Sequence, residues 1–243
     1  MEQGEGEIQQ VLEHLGKSMD LIIREIQELK DQEDENKMSL FGPFLGRSIL
    51  ELGSTIIISR IDPFRVLLLK KAQSQSNFKV GKPNKSSIHW QGDVLAKEKV
   101  NNLWADKNVQ SPTRALVGDY YKELIWPQSI QSLRREIDSN RGGEWFIEWI
   151  RNVEEEREGG VVGKIRQNLE ELYSSLSKGI HHEFVAPTQV SLDRTTIIEL
   201  INKSISIIST LGLMLNSIDY VSNRIELVEA IRLYEEIQRS EVL

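Results

Sequence analysis

Two adjacent histidines, His181 and His182, stand in the run Ser177-Lys178-Gly179-Ile180-His181-His182-Glu183-Phe184. Imidazole titrates near neutrality, so such a pair can serve as general acid, general base or metal ligand. Adjacent side chains on a helix point about 100° apart, which keeps the two from converging on one ion. The sequence holds no HExxH motif and no histidine pair at i, i+4, so no metal site is expected. A histidine closing a helix is also stabilised by the negative end of the helix dipole, a purely structural use of the same residue. The catalytic candidates are therefore His181 and His182, with Lys178 as the nearest cation.

A second group could bind phosphate. Arg60, Arg65, Lys70 and Lys71 form a basic strip, and Lys79, Lys82 and Lys85 follow in a Ser/Asn/Gly-rich loop over 73–91. These seven are the nucleic-acid candidates, with a solvated surface as the plain alternative. The run Gly81-Lys82-Pro83-Asn84-Lys85-Ser86 lacks the GxxxxGK[ST] spacing of a phosphate loop, and Pro83 removes a backbone donor. His89 and Asp93 flank Trp90, which reads as an anchor for the loop. Glu154, Glu155 and Glu156 read as a solvated helix face. No nucleophile elbow or dinucleotide glycine pattern is present, so no cofactor is expected.

The segment Leu172-Tyr173-Ser174-Ser175-Leu176-Ser177-Lys178-Gly179-Ile180-His181, followed by a polar loop and a long apolar helix, resembles the helical HEPN-like domains of prokaryotic defence and toxin systems. The resemblance covers about the last 80 residues. In ribonuclease members an arginine precedes the histidine by five to seven positions. The matching window, Ser174 to Leu176, holds none, and Arg166 lies fifteen positions upstream. The resemblance thus implies a helical module, often dimeric, that is non-catalytic here. Were RNA cleaved, His181 would move the proton and Lys178 or Arg166 would stabilise the phosphate charge.

The 243 residues include 30 Lys plus Arg against 37 Asp plus Glu, a formal net charge of −7. That balance argues against nucleic-acid binding by bulk charge. With no cysteine in the chain, disulfides, thiolate zinc sites, Fe–S clusters and cysteine nucleophiles are excluded. The N-terminus, MEQGEGEIQQ, is acidic and polar, the reverse of a secretory signal. The most apolar stretch, 195–218, carries Glu199, Asn202, Lys203 and Asn216. It reads as a buried core helix and the protein as cytoplasmic.

The elements that must position these groups are helices. Ile8, Leu12, Leu15, Met19, Ile22, Ile26 and Leu29 recur at alternating spacings of four and three, an a/d seam on a long N-terminal helix. The seam either packs on the protein's own body or binds a partner, a second copy or another coiled-coil protein. A second helical block opens at Pro43, and its Ile56-Ile57-Ile58 run reads as helix. One helix ends near Arg60 and the next starts at Pro63. Short helices and five tryptophans fill the middle third, with Gly142-Gly143 and Gly159-Gly160 as breaks. Three helices follow, over 161–184, from an Asp193 cap to Asn216, and over 222–239.

The expected architecture is an all-α, multi-helix bundle with a long N-terminal coiled-coil-like helix. Its regions are 1–37, the heptad helix; 38–158, a helical subdomain; and 159–243, a three-helix subdomain. The leading functional expectation is a non-enzymatic subunit or adaptor of a larger complex, in the defence context the resemblance implies. The alternatives are a HEPN-like ribonuclease using His181 and His182, and a nucleic-acid-binding adaptor using the Lys-rich loop. No membrane partner is expected.

Overall fold

The computed structural model describes residues 2–32, 34–76, 78, 116, 121–138, 143–155, 158–180 and 192–240. Among these every regular element is helical. Helix α1 is Glu2–Asp31, α2 is Glu35–Ile61 and α3 is Pro63–Gln73. A single π-helical turn, Tyr121–Ile125, runs into α4, Trp126–Asp138. Then come α5, Glu144–Glu155; α6, Glu158–Ile180; α7, Arg194–Asn216; and α8, Leu227–Arg239.

Local chemistry sets these ends. The Asp34 carboxylate accepts from the backbone N–H groups of Asn36 and Lys37, at 3.0 Å each, and starts α2. Asp193 does the same for α7, accepting from the Thr196 N–H at 2.7 Å. That bond holds the Asp193 carboxyl below its ordinary range. Proline at the first position of α3 loses no helical hydrogen bond. Pro43 does not open its helix, as its ring would favour; it sits inside α2. An interior proline removes one i→i−4 bond and crowds the preceding turn. Here the Asp34 cap starts the helix eight residues earlier, and the buried ring packs where Gly179 of α6 has no Cβ.

Helices α2 and α7 form the centre of the molecule. Cβ atoms built on Gly42 and Gly53 of α2 would meet Ile197 and Ile208 of α7 at 2.5 and 2.7 Å. Glycine at those positions lets the two backbones approach closely. The larger core joins Leu50, Ile58, Trp126, Phe146, Leu176 and Met214, so α2, α4, α5, α6 and α7 share one apolar interior. It is continuous between residues of 38–158 and residues of 159–243. Trp126 is fully buried and donates from Nε1 to the Leu116 carbonyl at 2.7 Å, which satisfies the only polar group of the indole.

Helix α1 is one 30-residue helix lying along α2 and reaching α3. Four of the seven seam residues, Ile8, Leu12, Ile26 and Leu29, are buried in the chain itself. Ile26 and Leu29 join a smaller core with Met38, Ile49, Ile197 and Ile201, against which Met19 and Ile22 pack half-buried. Leu15 is half-buried as well. Arg194 fastens the far end of α1 by donating to the Lys30 carbonyl at 2.5 Å.

The connection over 217–226 is ordered by a polar knot. The buried Asn216 side chain donates to the Ile225 carbonyl at 2.9 Å and accepts from the Ile225 N–H at 3.1 Å. Arg60 of α2 donates to Asn216 Oδ1 at 3.3 Å and to the Ser222 and Asn223 carbonyls at 3.1 Å each. Asn223 takes the left-handed conformation, φ 58°, which asparagine adopts more readily than most residues. This knot is why the last helix starts at Leu227 and not at 222.

Candidate functional site

A second polar cluster among described residues lies where α2 crosses the last turns of α6. Arg47 and Glu51 are one turn apart on α2 and pair at 3.0 Å. Tyr173 and Ser177 hold the same relation on α6, with the Ser177 hydroxyl donating to the Tyr173 carbonyl at 2.6 Å. Across the interface Arg47 donates to the Tyr173 hydroxyl at 2.5 Å and to Ser177 Oγ at 3.4 Å. The Tyr173 hydroxyl in turn donates to Glu51 at 3.0 Å, and the guanidinium carbon lies 4.5 Å from the tyrosine ring centroid. Partial burial raises the Tyr173 pKa, helped by the Glu51 charge and opposed by Arg47. The cluster therefore holds a neutral phenol between an arginine and a carboxylate.

Lys178 is exposed beside this cluster. His181 and His182 follow α6 in sequence and lie outside the described residues, as do Lys79, Lys82 and Lys85. The side chain of Arg65 lies outside them too. Of the remaining cations, Arg60 is committed to the knot over 217–226; burial and then the Arg224 charge lower its pKa. Lys70 donates to Gln10 of α1 at 3.1 Å. Lys71 is exposed. Arg166 pairs with Glu170 on its own helix at 3.1 Å. Among the described residues no group of three or more histidine, aspartate or glutamate side chains is placed to hold a metal ion.

Sequence reasoning missed two features. The arginine beside Ser177 comes from α2, 130 residues away in the chain, and no local window can reveal it. The second feature is an exposed apolar face on the first turns of α2. Leu40, Phe41 and Phe44 are 52%, 49% and 57% exposed. Their i, i+1, i+4 spacing puts them on one side of the helix. The signal was present in the run Leu40-Phe41-Gly42-Pro43-Phe44, but a proline read as a helix start gave the phenylalanines no face.

Comparison with family models, with curated proteins and with solved structures finds no match to this chain.

Proposed function

We propose that the chain is a non-enzymatic, protein-binding subunit or adaptor of a larger assembly, and that the Leu40–Phe41–Phe44 face of α2 contacts its partner. The observation that carries this is the exposure of two phenylalanines and a leucine within five residues of one helix. Large apolar side chains grouped on a surface mark interaction sites more often than scattered ones do. The fitting partner is another protein presenting an apolar helical ridge, since side-chain rows of one helix pack into the grooves of the next. The heptad seam has a different part in this reading: it holds α1 on the body, and the partner meets α2. The prokaryotic-defence setting rests on the HEPN-like resemblance alone.

The cytoplasmic setting belongs to the same proposal. Helices α2 and α7 are long and apolar enough, by length and composition, to cross a membrane. Their mutual packing and the charges of Glu199 and Lys203 on α7, paired at 3.7 Å, support the reading of both as core helices.

The test is affinity purification of the tagged chain against Phe41→Glu/Phe44→Glu, with circular dichroism to check that the variant folds. Stoichiometric partner recovery by the wild type and its loss in the folded variant support the reading. Equal recovery by both removes the proposed face.

One observation favours a second reading, a HEPN-like ribonuclease. Arg47 brings a cation to Ser177 of α6, four residues before His181 in sequence. The purified chain would then cleave RNA, and His181→Ala would abolish cleavage.

A further inference from the structure

The outer side of α2 does not end at Phe44. Lys37 stands seven residues before it and Glu51 seven residues after it. Seven residues bring a helix round to within about 20° of the same side. The two charges and Phe44 therefore lie on one stripe, with Leu40, Phe41 and Ser48 in the turns between. Lys37 is exposed, and so is 42% of the Glu51 side chain. Lys37 donates to Gln32 at 2.9 Å, and an ammonium has further protons to give. The bonds from Arg47 and Tyr173 to Glu51 both fall on Oε1, and the carboxylate has a second oxygen.

This stripe is its own complement. Let α2 lie antiparallel on a copy of itself, about a twofold axis through Phe44. Positions equally far before and after Phe44 then face each other. Lys37 meets Glu51 of the second copy, and the symmetry makes that pair twice. Leu40 meets Ser48, whose hydroxyl is turned back to the Phe44 carbonyl at 2.8 Å, so a short side chain lies opposite the leucine. The two Phe44 rings meet on the axis with Phe41 beside them. A parallel pairing would set lysine on lysine and glutamate on glutamate. An anionic membrane fits no better, because one end of the stripe is negative.

We infer that in the isolated protein a second copy of the chain covers this face, with the two α2 helices antiparallel and crossing at Phe44. The interface is isologous, the same patch used by both copies. Its apolar centre excludes water, and the charge pairs fix direction and register. The inference rests on the reading of Leu40, Phe41 and Phe44 as a contact surface, and it adds a regulation to it. Self-pairing hides that surface, and another subunit reaches it only when the two copies part.

The test is sedimentation equilibrium of the purified full chain, alone, from about 1 to 100 μM. We expect a monomer–dimer equilibrium that Phe44→Glu abolishes without altering the circular dichroism. Lys37→Glu replaces both attractive pairs by repulsive ones and should weaken the dimer at least about fivefold. Sodium chloride should loosen the wild-type dimer and tighten that of Lys37→Glu, because screening acts on attraction in the first and on repulsion in the second. Glu51→Lys, folded by circular dichroism, should also pair poorly with itself. Mixed one to one, the folded Lys37→Glu and Glu51→Lys chains should recover the dimer, since every charge contact across the axis is again lysine to glutamate. A monomeric wild type at about 100 μM overturns the inference. So does a dimer indifferent to Phe44→Glu, salt that loosens both dimers alike, or no recovery in the mixture of folded chains. Partner recovery from cells is a separate readout. A monomeric chain that still recovers a partner through Phe41 and Phe44 removes the self-pairing and leaves the protein-binding reading standing; a dimer with no other partner does the reverse.

Discussion

Glu235 of α8 accepts a 2.6 Å hydrogen bond from the backbone N–H of Phe146, in the first turn of α5. The carboxylate is buried, and its second oxygen meets Arg239 at 3.3 Å. A glutamate from one helix thus does for another what a local cap residue usually does, and it places a negative charge at the positive end of that helix. Gly143 makes room for it: a Cβ there would lie 2.6 Å from the carboxyl carbon. Glu235→Ala should lower stability by about 1–3 kcal/mol, and Gly143→Ala should lower it as well. Thermal unfolding of the two variants checks this, and an unchanged melting temperature in Glu235→Ala contradicts the capping role.

Arg60 is the bolt of the α7–α8 connection. Arg60→Ala removes three donated hydrogen bonds, and Arg60→Lys cannot restore them because an ammonium lacks the planar fork. Both variants should lose amide-exchange protection over 217–226 while α1 keeps its own. Loss of nucleic-acid binding with protection intact would instead give Arg60 a surface role.

Alkaline pH should destabilise the fold through Tyr234. Burial pushes its hydroxyl from 10.0 up to about 12. A raised pKa in the folded state means that the folded chain holds its proton longer than the unfolded one. The contribution is complete below pH 10 and is lost as pH rises toward about 12. Tyr173 is shifted the same way. Denaturant titrations across that window should show stability falling, and Tyr234→Phe should make the fall shallower.

The two histidines separate the binding and ribonuclease readings. His181→Ala/His182→Ala should leave partner recovery within about twofold of the wild type, a change of under about 0.5 kcal/mol, because the binding reading gives neither histidine a part in the contact. Partner recovery lost together with a measurable RNA-cleaving activity would favour the enzyme.

Much of the helical framework was legible in the sequence, for local reasons. The 3–4 spacing of Ile8 to Leu29, the Asp193 cap and the Asp62-Pro63 boundary all act within a few residues. The apolar stretch 195–218 predicted a buried core helix, and α7 packs against α2, α4, α6 and α8. What could not be read depends on distant partners. Asp34 and Gly179 together decide that Pro43 lies inside a helix. Gly159 and Gly160 fall within the first turn of α6 and do not separate two helices. The destination of the seam depends on Met38, Ile197 and Ile201, which no window around residues 8–29 contains. The same holds for the candidate site, because Arg47 and Tyr173 meet only when α2 crosses α6.

The most direct measurement of the central claim is partner recovery by the Phe41→Glu/Phe44→Glu chain against the wild type, from the same cells and at equal expression. Two buried aromatic contacts replaced by charges should weaken the complex by at least about thirtyfold, that is, by about 2 kcal/mol or more. The account predicts a stoichiometric partner with the wild type and none with the folded variant. A wild-type chain recovered alone, or a variant that keeps the same partner, would contradict it.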